Sequence, residues 1–431
     1  MKAGNWIFRH NRATDAPAGK SGGFTLPLAL VILAVMGNIA LVIFSMVKSE
    51  RVESFRRYTK IQAELNIESG IDFALNKMET ESSPWRTDSL HYISPDSSVT
   101  FTLSHFQDGI YSKLSIVPGD SSQKTATGIA SPWIARAGFR RPPLPAIIVL
   151  SRRSNFAIAQ GTRIKGGIAV AEGSVSYSMH YLMMADSETY YDTVFTDTNF
   201  TLFDSLRYFP ELSRNQFDSL YKKDLCEFDA RDEIPQTLSC RNVIVQGDAH
   251  CEKCSIRAEK IRIRGNSEFK EADIRANKIS ATEYAELSGT FFARDSVFVE
   301  LERTQDAPLT IALQGRKSGP FEYSGSLDLE KLSAGNVQLL FIGDNWEESL
   351  PGIPVRISEK SNLKGIVVSM GTTDFQGHLK GTLVTYNFGF IEGGTHWKNF
   401  VRHAKIENDS TASYFLPDML HLGGLATYEK M

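Results

Sequence analysis

Four cysteines are the residues whose type and spacing could carry chemistry: Cys226, Cys240, Cys251 and Cys254. Cys251 and Cys254 form a C-x-x-C pair, and zinc ribbons use such pairs as metal ligands. A ribbon also needs a second C-x-x-C pair, which does not follow, and His250 is adjacent to Cys251 rather than at zinc-finger spacing. We therefore expect disulfides rather than zinc, and the sequence leaves open all three pairings of four cysteines.

Three aspartates in a stretch rich in aromatic residues are the other candidate metal ligands: Asp186, Asp192 and Asp197. Carboxylates suit calcium, but these three lack the regular spacing and the glycine of an EF-hand loop. The chain contains no G-x-S-x-G, P-loop or H-E-x-x-H motif, and its nine histidines are scattered. We expect no metal, no cofactor and no catalytic residue.

An uncharged apolar segment near the N-terminus, residues 24–47, determines on which side of a membrane the cysteines and aspartates lie. Its 24 residues are enough, at about 1.5 Å rise per residue, to cross a hydrocarbon core of roughly 30 Å. The leader before it, residues 1–23, carries four basic residues and one acidic residue, namely Lys2, Arg9, Arg12, Lys20 and Asp15. This excess of basic charge predicts a cytoplasmic leader and an outward-facing C-terminal part, where disulfides form.

An ordinary signal peptide is the alternative for this segment. It would have a shorter apolar region and small residues at a cleavage site on the far side. Here the small residues Ser21, Gly22 and Gly23 lie on the near side. The pattern therefore favours a spanning helix, and a plain signal anchor with accidental glycines stays open.

The junction itself, Gly22-Gly23-Phe24-Thr25-Leu26 followed by an apolar helix, resembles the class III signal of type IV pilins and type II secretion pseudopilins. The resemblance implies that a prepilin peptidase cuts after Gly23 and methylates Phe24. Leu28 then occupies the fifth mature position, where major pilins carry a glutamate. Members of the family without this glutamate are K-type pseudopilins and PilX-type minor pilins, which act in priming or at the filament tip.

Two further features fit the same resemblance. Cleavage would leave Pro27 in the first helical turn, whose N–H groups lack partners anyway. Residues 48–78 contain no proline and keep helical spacing of apolar residues, which predicts one helix over residues 24–78. Within it, residues 62–71 resemble the alanine-glutamate-glycine pattern of PilX-type minor pilins.

Alternating residues after the helix predict a small β-rich unit over residues 79–140. Residues 99–103 and 110–116 alternate apolar and polar side chains about Gln107-Asp108-Gly109, as in an antiparallel hairpin. The proline-rich run at residues 140–145 reads as a stiff linker, so we expect a new domain from residue 146.

The strongest internal signal is a repeat of 18 residues that starts at Thr237. Within each block apolar residues alternate with charged ones, which is the period of a β-strand. Four columns of the aligned blocks are apolar: Leu238, Ile256, Ile274 and Phe292; Val243, Ile261, Ile279 and Val297; Val245, Ile263, Ala281 and Val299; Cys251, Phe269 and Leu287.

A second repeat, of 16 residues, places Leu363 over Leu379 and Gly365 over Gly381. Together the repeats predict a parallel, right-handed β-helix over residues 146–400, interrupted by an insertion at residues 178–235 and followed by a C-terminal tail at residues 401–431. The predicted fold class is mainly β with one long N-terminal helix and a small pilin-like β unit. The aromatic insertion is either a binding surface or a lid over one side of the domain.

The charges argue against an enzyme and against nucleic acid as a partner. Parallel β-helices often host carbohydrate lyases, but such sites cluster acids and bases on one face. Outward positions in this repeat mix signs instead: Arg257, Arg262, Arg264, Arg275 and Glu283. A net charge of −3, from 47 basic and 50 acidic residues, gives no bulk attraction to nucleic acid.

We therefore expect a non-enzymatic minor pilin or pseudopilin, anchored in the inner membrane by a single pass, whose C-terminal part is periplasmic or lies on a filament. Its implied partners are other pilin subunits, a prepilin peptidase and the inner-membrane assembly machinery. A surface polysaccharide is an additional candidate ligand. The alternative is a membrane-anchored β-helix protein that binds or cleaves an extracellular polysaccharide.

Overall fold

The computed structural model describes residues 25–80, 88–93, 100–108, 111–118, 133–141, 144–151, 155–170, 173–180, 184–196, 221–229, 232–317, 323–341, 355–411, 414–417 and 425–430. The described chain is mainly β, with one long N-terminal helix. It divides after Leu65 into two compact units, of which the second contains all of the described strands.

The helix, α1, runs from Thr25 to Thr80 and is 56 residues long, which confirms the helix predicted over residues 24–78. Thirty strands follow it in the described chain: β1 (Asp88–Ile93), β2 (Thr100–Asp108), β3 (Tyr111–Pro118), β4 (Trp133–Arg141), β5 (Ile147–Val149), β6 (Phe156–Ile158), β7 (Arg163–Lys165), β8 (Ile168–Val170), β9 (Val175–Tyr177), β10 (Tyr190–Tyr191), β11 (Val194–Thr196), β12 (Lys223–Phe228), β13 (Thr237–Val245), β14 (His250–Glu252), β15 (Ser255–Ile263), β16 (Glu268–Glu283), β17 (Glu286–Leu301), β18 (Leu309–Leu313), β19 (Arg316–Lys317), β20 (Tyr323–Ser324), β21 (Ser326–Lys331), β22 (Ser333–Phe341), β23 (Val355–Ile357), β24 (Asn362–Phe375), β25 (His378–Glu392), β26 (Thr395–Lys398), β27 (Phe400–Val401), β28 (Lys405–Glu407), β29 (Tyr414–Pro417) and β30 (Leu425–Lys430).

Six strands form an antiparallel sheet in the order β1-β2-β3-β4, with β29 and β30 both paired to β4. Its β2–β3 pair, with Leu103 opposite Ile116, confirms the predicted hairpin. The two last strands come from residues 401–431, which the sequence suggested as a tail. They carry no repeat or long alternation that would have marked them, so only their pairing with β4 reveals them.

Nineteen strands form a second sheet, in which the described pairings are parallel except for that between β25 and β26. The central strands pair at a constant offset of 18 residues, so that Ile256 lies beside Leu238 and Ile274. The columns headed by Val243, Val245 and Cys251 pair as the repeat predicts. The 16-residue repeat likewise pairs β24 with β25, Leu363 beside Leu379.

One predicted column member was wrong. Ile274 pairs with Phe291, and Phe292 lies beside Arg275, because the register between β16 and β17 shifts by one residue after Phe269. A β-bulge causes such a shift, and a slip of one residue sends a side chain to the opposite face. Both phenylalanines are nevertheless buried.

The order of strands in space differs from their order in the chain. The first parallel strand, β5, pairs with β25 on one side and β8 on the other. Beyond β8 lies β11, whereas β12 pairs with β13 at the other end of the sheet. Strands β10, β11 and β12 therefore bring parts of the region suggested as an insertion, residues 178–235, into the sheet.

The core of this sheet is an apolar cluster whose side chains come from the inward columns. Glycine is required where two strands approach too closely for a side chain. A Cβ on Gly365, whose φ is +148°, would lie 2.0 Å from the carbonyl oxygen of Val337. Gly381 occupies the next position of the same column at φ +152°.

Candidate functional site

The N-terminal part of α1 is apolar and exposed. Residues 26–47 contain no charged side chain, and every one of them is exposed. This helix is long and apolar enough to cross a membrane, and its most apolar stretch is fully exposed. A signal sequence near the N-terminus can have the same length and composition. An apolar surface of this size needs a lipid or protein environment.

Two predicted assembly residues lie in the first turn of this helix. Pro27 is the third residue of α1, where a missing N–H costs no hydrogen bond. Leu28 follows it and is 58% exposed. The processing residues Gly23 and Phe24 lie outside the described residues.

The C-terminal part of α1 packs on the antiparallel sheet through small and apolar side chains. Ile71, Ala74 and Met78 join Phe101 and Ile116 in one buried cluster. The helix backbone approaches the sheet closely at Gly70, the residue before Ile71. A Cβ on Gly70 would lie 2.8 Å from Cγ2 of Ile116 and 3.3 Å from Cδ2 of Phe101. Any larger residue here would push the helix away from the sheet.

A buried polar residue and a stack of rings fix the helix on this sheet. The Oδ1 atom of Asn66 accepts a hydrogen bond of 3.4 Å from the backbone N–H of Thr100. Tyr92 stacks on Phe101 at 4.9 Å between ring centroids, and Phe73 of the helix lies 5.3 Å from Tyr92. Sequence reasoning noted Gly70 only as part of a motif and missed Asn66. A lone Asn in a helical pattern gives no sign that its amide is buried.

The cysteines form two disulfides, Cys226–Cys240 and Cys251–Cys254. Their Cα atoms are 6.2 and 5.9 Å apart, within the usual range for a disulfide. The first links the neighbouring strands β12 and β13, and the second links β14 to the residue before β15. Of the three pairings that the sequence left open, the structure has the one in which each cysteine pairs with its neighbour in the sequence.

The two described aspartates of the calcium candidate bind backbone groups. Asp186 accepts hydrogen bonds from the Thr189 hydroxyl and from the backbone N–H of Gly161, and the hydroxyl lowers its pKa. Asp192 accepts a 2.8 Å bond from the N–H of Gly166. Asp197 lies outside the described residues. Within the described ranges, no group of three His, Cys, Asp or Glu side chains is arranged to hold a metal ion.

One carboxyl that sequence reasoning missed lies on β24. Burial raises the pKa of Asp374, although Gln376 donates to it at 2.9 Å and the charges of Arg402 and Arg356 favour its ionised form. Arg402 also pairs with Glu392 at 2.7 Å. A desolvated carboxyl group among arginines can serve as a general acid in an enzyme. Ion-pair networks of purely structural role shift pKa values too.

Searches of protein-family models, curated proteins and solved structures return no match to this chain. The described residues therefore have to indicate the function by themselves. They bring the four cysteines together in two pairs and place Pro27 and Leu28 in one helical turn. They do not bring the cysteines or the candidate aspartates into one metal site.

Proposed function

We propose that this chain is a non-enzymatic, minor pilin-like or pseudopilin-like subunit, held in the inner membrane by the N-terminal part of α1, that acts at the tip or in the priming of a filament. The proposal rests on the difference between the N-terminal and C-terminal parts of one helix. The 22 residues 26–47, most of them apolar, are exposed and uncharged, and the last turns of the helix pack on an antiparallel sheet. A helix of this kind suits both a bilayer and the core of a helical filament.

Leu28 supports a position in the filament at which no other subunit precedes this one. A carboxylate at that depth would cost roughly 2.5–3.5 kcal/mol in the bilayer unless a partner neutralised it. In the family that the sequence resembles, that partner is the N-terminal amine of a neighbouring subunit. An exposed leucine at this position needs no such partner, which suits a subunit that begins or ends a filament.

We also infer that the parallel sheet is a right-handed β-helix that serves as the displayed head. Successive 18-residue repeats pair along most of their length, as β14 and β15 both do with β16. A chain can pair with its neighbour along its whole repeat only if it completes one coil per repeat. Parallel crossovers are right-handed in about 98% of cases, which gives the hand.

The experiment for the anchoring role compares two glycine variants in cells that contain a prepilin peptidase. We expect the wild-type chain and Gly22→Ala to lose residues 1–23, and Gly23→Val to keep them, because the cut would follow Gly23. The readout is the size of the membrane-associated chain. Retention of the leader by all three chains, in cells where a control pilin is processed, would favour the alternative of a plain membrane-anchored β-helix.

A further inference from the structure

A row of cationic side chains lies on the outer surface of β15 and β16. Lys260, Arg262 and Arg264 are exposed and alternate with the buried Ile261 and Ile263. The backbone N–H of Arg264 still donates to Val245, so the strand geometry extends to it. On β16, the exposed Lys278 lies directly beside Lys260. We call Lys260, Arg262, Arg264 and Lys278 the cationic strip.

The four side chains of the cationic strip have no ion-pair partner in the described part of the chain. Elsewhere on the same sheet, exposed cations are neutralised by neighbours: Arg241 by Asp224 and Glu259, Lys270 by Glu268, Lys165 by Glu407, and Lys364 by Asp409. A further cation of β16, Arg275, is buried and binds Asp273 at 2.8 Å. The strip thus places four exposed cations without an ion pair among the described residues side by side on two neighbouring strands.

On the strands that flank the strip, the residues directly beside its lysines and Arg262 are uncharged. Asn242 and Ser296 flank the two lysines, and Ile244 and Ser280 flank Arg262. The nearby carboxylate of Glu283 accepts a hydrogen bond of 2.8 Å from the N–H of Gly265.

Two other carboxylates lie farther from the strip. Glu227 pairs with Ile244 and Glu300 with Thr282, so each is two strands from the row on β15. Two strand spacings are roughly 9.6 Å, about one Debye length at physiological ionic strength.

The strip has the dimensions of a site for one extended chain. Alternate residues of a strand are roughly 6.6 Å apart, so Lys260, Arg262 and Arg264 span about 13 Å, and the strip is only two strands wide. At its end stands Tyr284, which is 58% exposed and whose N–H binds the carbonyl of Gly265, next to Arg264. An exposed ring beside cations can stack on a sugar ring while they bind its acidic groups.

We propose that the cationic strip binds a linear polysaccharide that carries carboxylate groups. The width of two strands suits a single chain and not a duplex, whose phosphates lie on both sides of wide grooves. Single-stranded nucleic acid is bound on several exposed aromatic platforms, whereas the exposed ring at the strip is that of Tyr284, and the next outward ring, Phe298 beside Ser280, is only half-exposed. This polysaccharide would be the ligand of the displayed head. The inference rests on the proposed function only in placing that head outside the cell.

The test measures binding of the full chain, purified with its leader in neutral detergent, to polygalacturonate, with dextran and oligo-dT as comparison polymers. The strip variant is Lys260→Gln/Arg262→Gln/Arg264→Gln. The matched control, Lys360→Gln/Lys380→Gln/Lys405→Gln, removes three other exposed cations of the same domain. We expect the wild type to bind polygalacturonate, less so at high salt, and the strip variant to bind about tenfold more weakly, since three exposed charge contacts are lost.

Two further variants make the result decisive. The control variant and Tyr284→Ala should melt like the wild type by circular dichroism, and Tyr284→Ala should weaken binding without changing its salt dependence. Equal losses in the strip and control variants, tighter binding of oligo-dT than of polygalacturonate, or no binding by the wild type would each overturn the proposal. None of these outcomes depends on processing after Gly23, so the proposed function can stand or fall separately.

Discussion

Gly70 offers the sharpest test of how α1 is held on the antiparallel sheet. In Gly70→Ala the new methyl group would lie 2.8 Å from Cγ2 of Ile116 and 3.3 Å from Cδ2 of Phe101. Overpacking of this kind costs about 1–3 kcal/mol, and alanine returns about 1 kcal/mol through its higher helix propensity. We expect a net destabilisation of about 1 kcal/mol.

The second arm of this test removes the clashing atom. Ile116→Ala alone should cost about 2–5 kcal/mol, because it empties a buried site. In that background Gly70→Ala should stabilise by about 1 kcal/mol, so the coupling between the two positions is about 2 kcal/mol. Gly37→Ala is the matched control on the same helix, because a Cβ on Gly37 meets nothing within 4 Å.

The assay is hydrogen exchange of the backbone amides of β2 and β3, which reports the local free energy of opening. Exchange should speed up in Gly70→Ala, slow down when the same change is made in Ile116→Ala, and stay unchanged in Gly37→Ala. If Gly70→Ala has the same effect in both backgrounds, the close contact does not limit this position and the reasoning fails.

Three further predictions concern the disulfide, the buried acid and the first helical turn. Replacing Cys226 and Cys240 by serine should lower the free energy of unfolding by about 3 kcal/mol, as for a closed loop of about 15 residues; peptide mapping that links either cysteine elsewhere contradicts this. Asp374→Asn should raise the unfolding temperature at pH 7, because burial raises the pKa of Asp374 and its ionisation costs stability as pH rises through that pKa; the gain should vanish below the ordinary value of 3.8, and a gain independent of pH counts against it. Leu28→Glu should be neutral or reduce the membrane-bound amount, and strong recruitment along a filament shaft argues against a tip position.

The repeat made much of the sheet predictable because apolar columns and strand pairing share one period. Val243, Ile261 and Ile279 align in sequence and pair in space. The prediction failed at Phe292, where a register shift follows Phe269 and two adjacent phenylalanines offered both registers. A bulge involves the backbone and leaves no composition signal, so the periodic pattern could not place it.

Long-range pairing could not be read from local patterns. Nothing in the short segment at β5 indicates that it pairs with β25, more than 200 residues later. The same is true of β29 and β30, which join the sheet that begins before β5. Such contacts depend on the whole fold, and short strands with few residues carry little information about their partners.

The pairing of surface charges was also not predictable from the sequence. The net charge of −3 and the mixed signs of the repeat suggested an evenly solvated surface. The structure separates paired from unpaired cations: Arg275 binds Asp273 in a buried site, whereas Arg262 and Arg264 remain without a partner in the described part of the chain. Totals and alternation cannot show this distinction, because ion pairing depends on which strands are neighbours.

The first residue of the mature chain tests the central claim most directly. Mass spectrometry of the protein recovered from the membranes of cells that contain a prepilin peptidase reads this residue and its modification. We expect a chain that begins with N-methylated Phe24 and keeps the whole apolar segment of α1. An intact leader, or a chain that begins beyond Ser45, would contradict it.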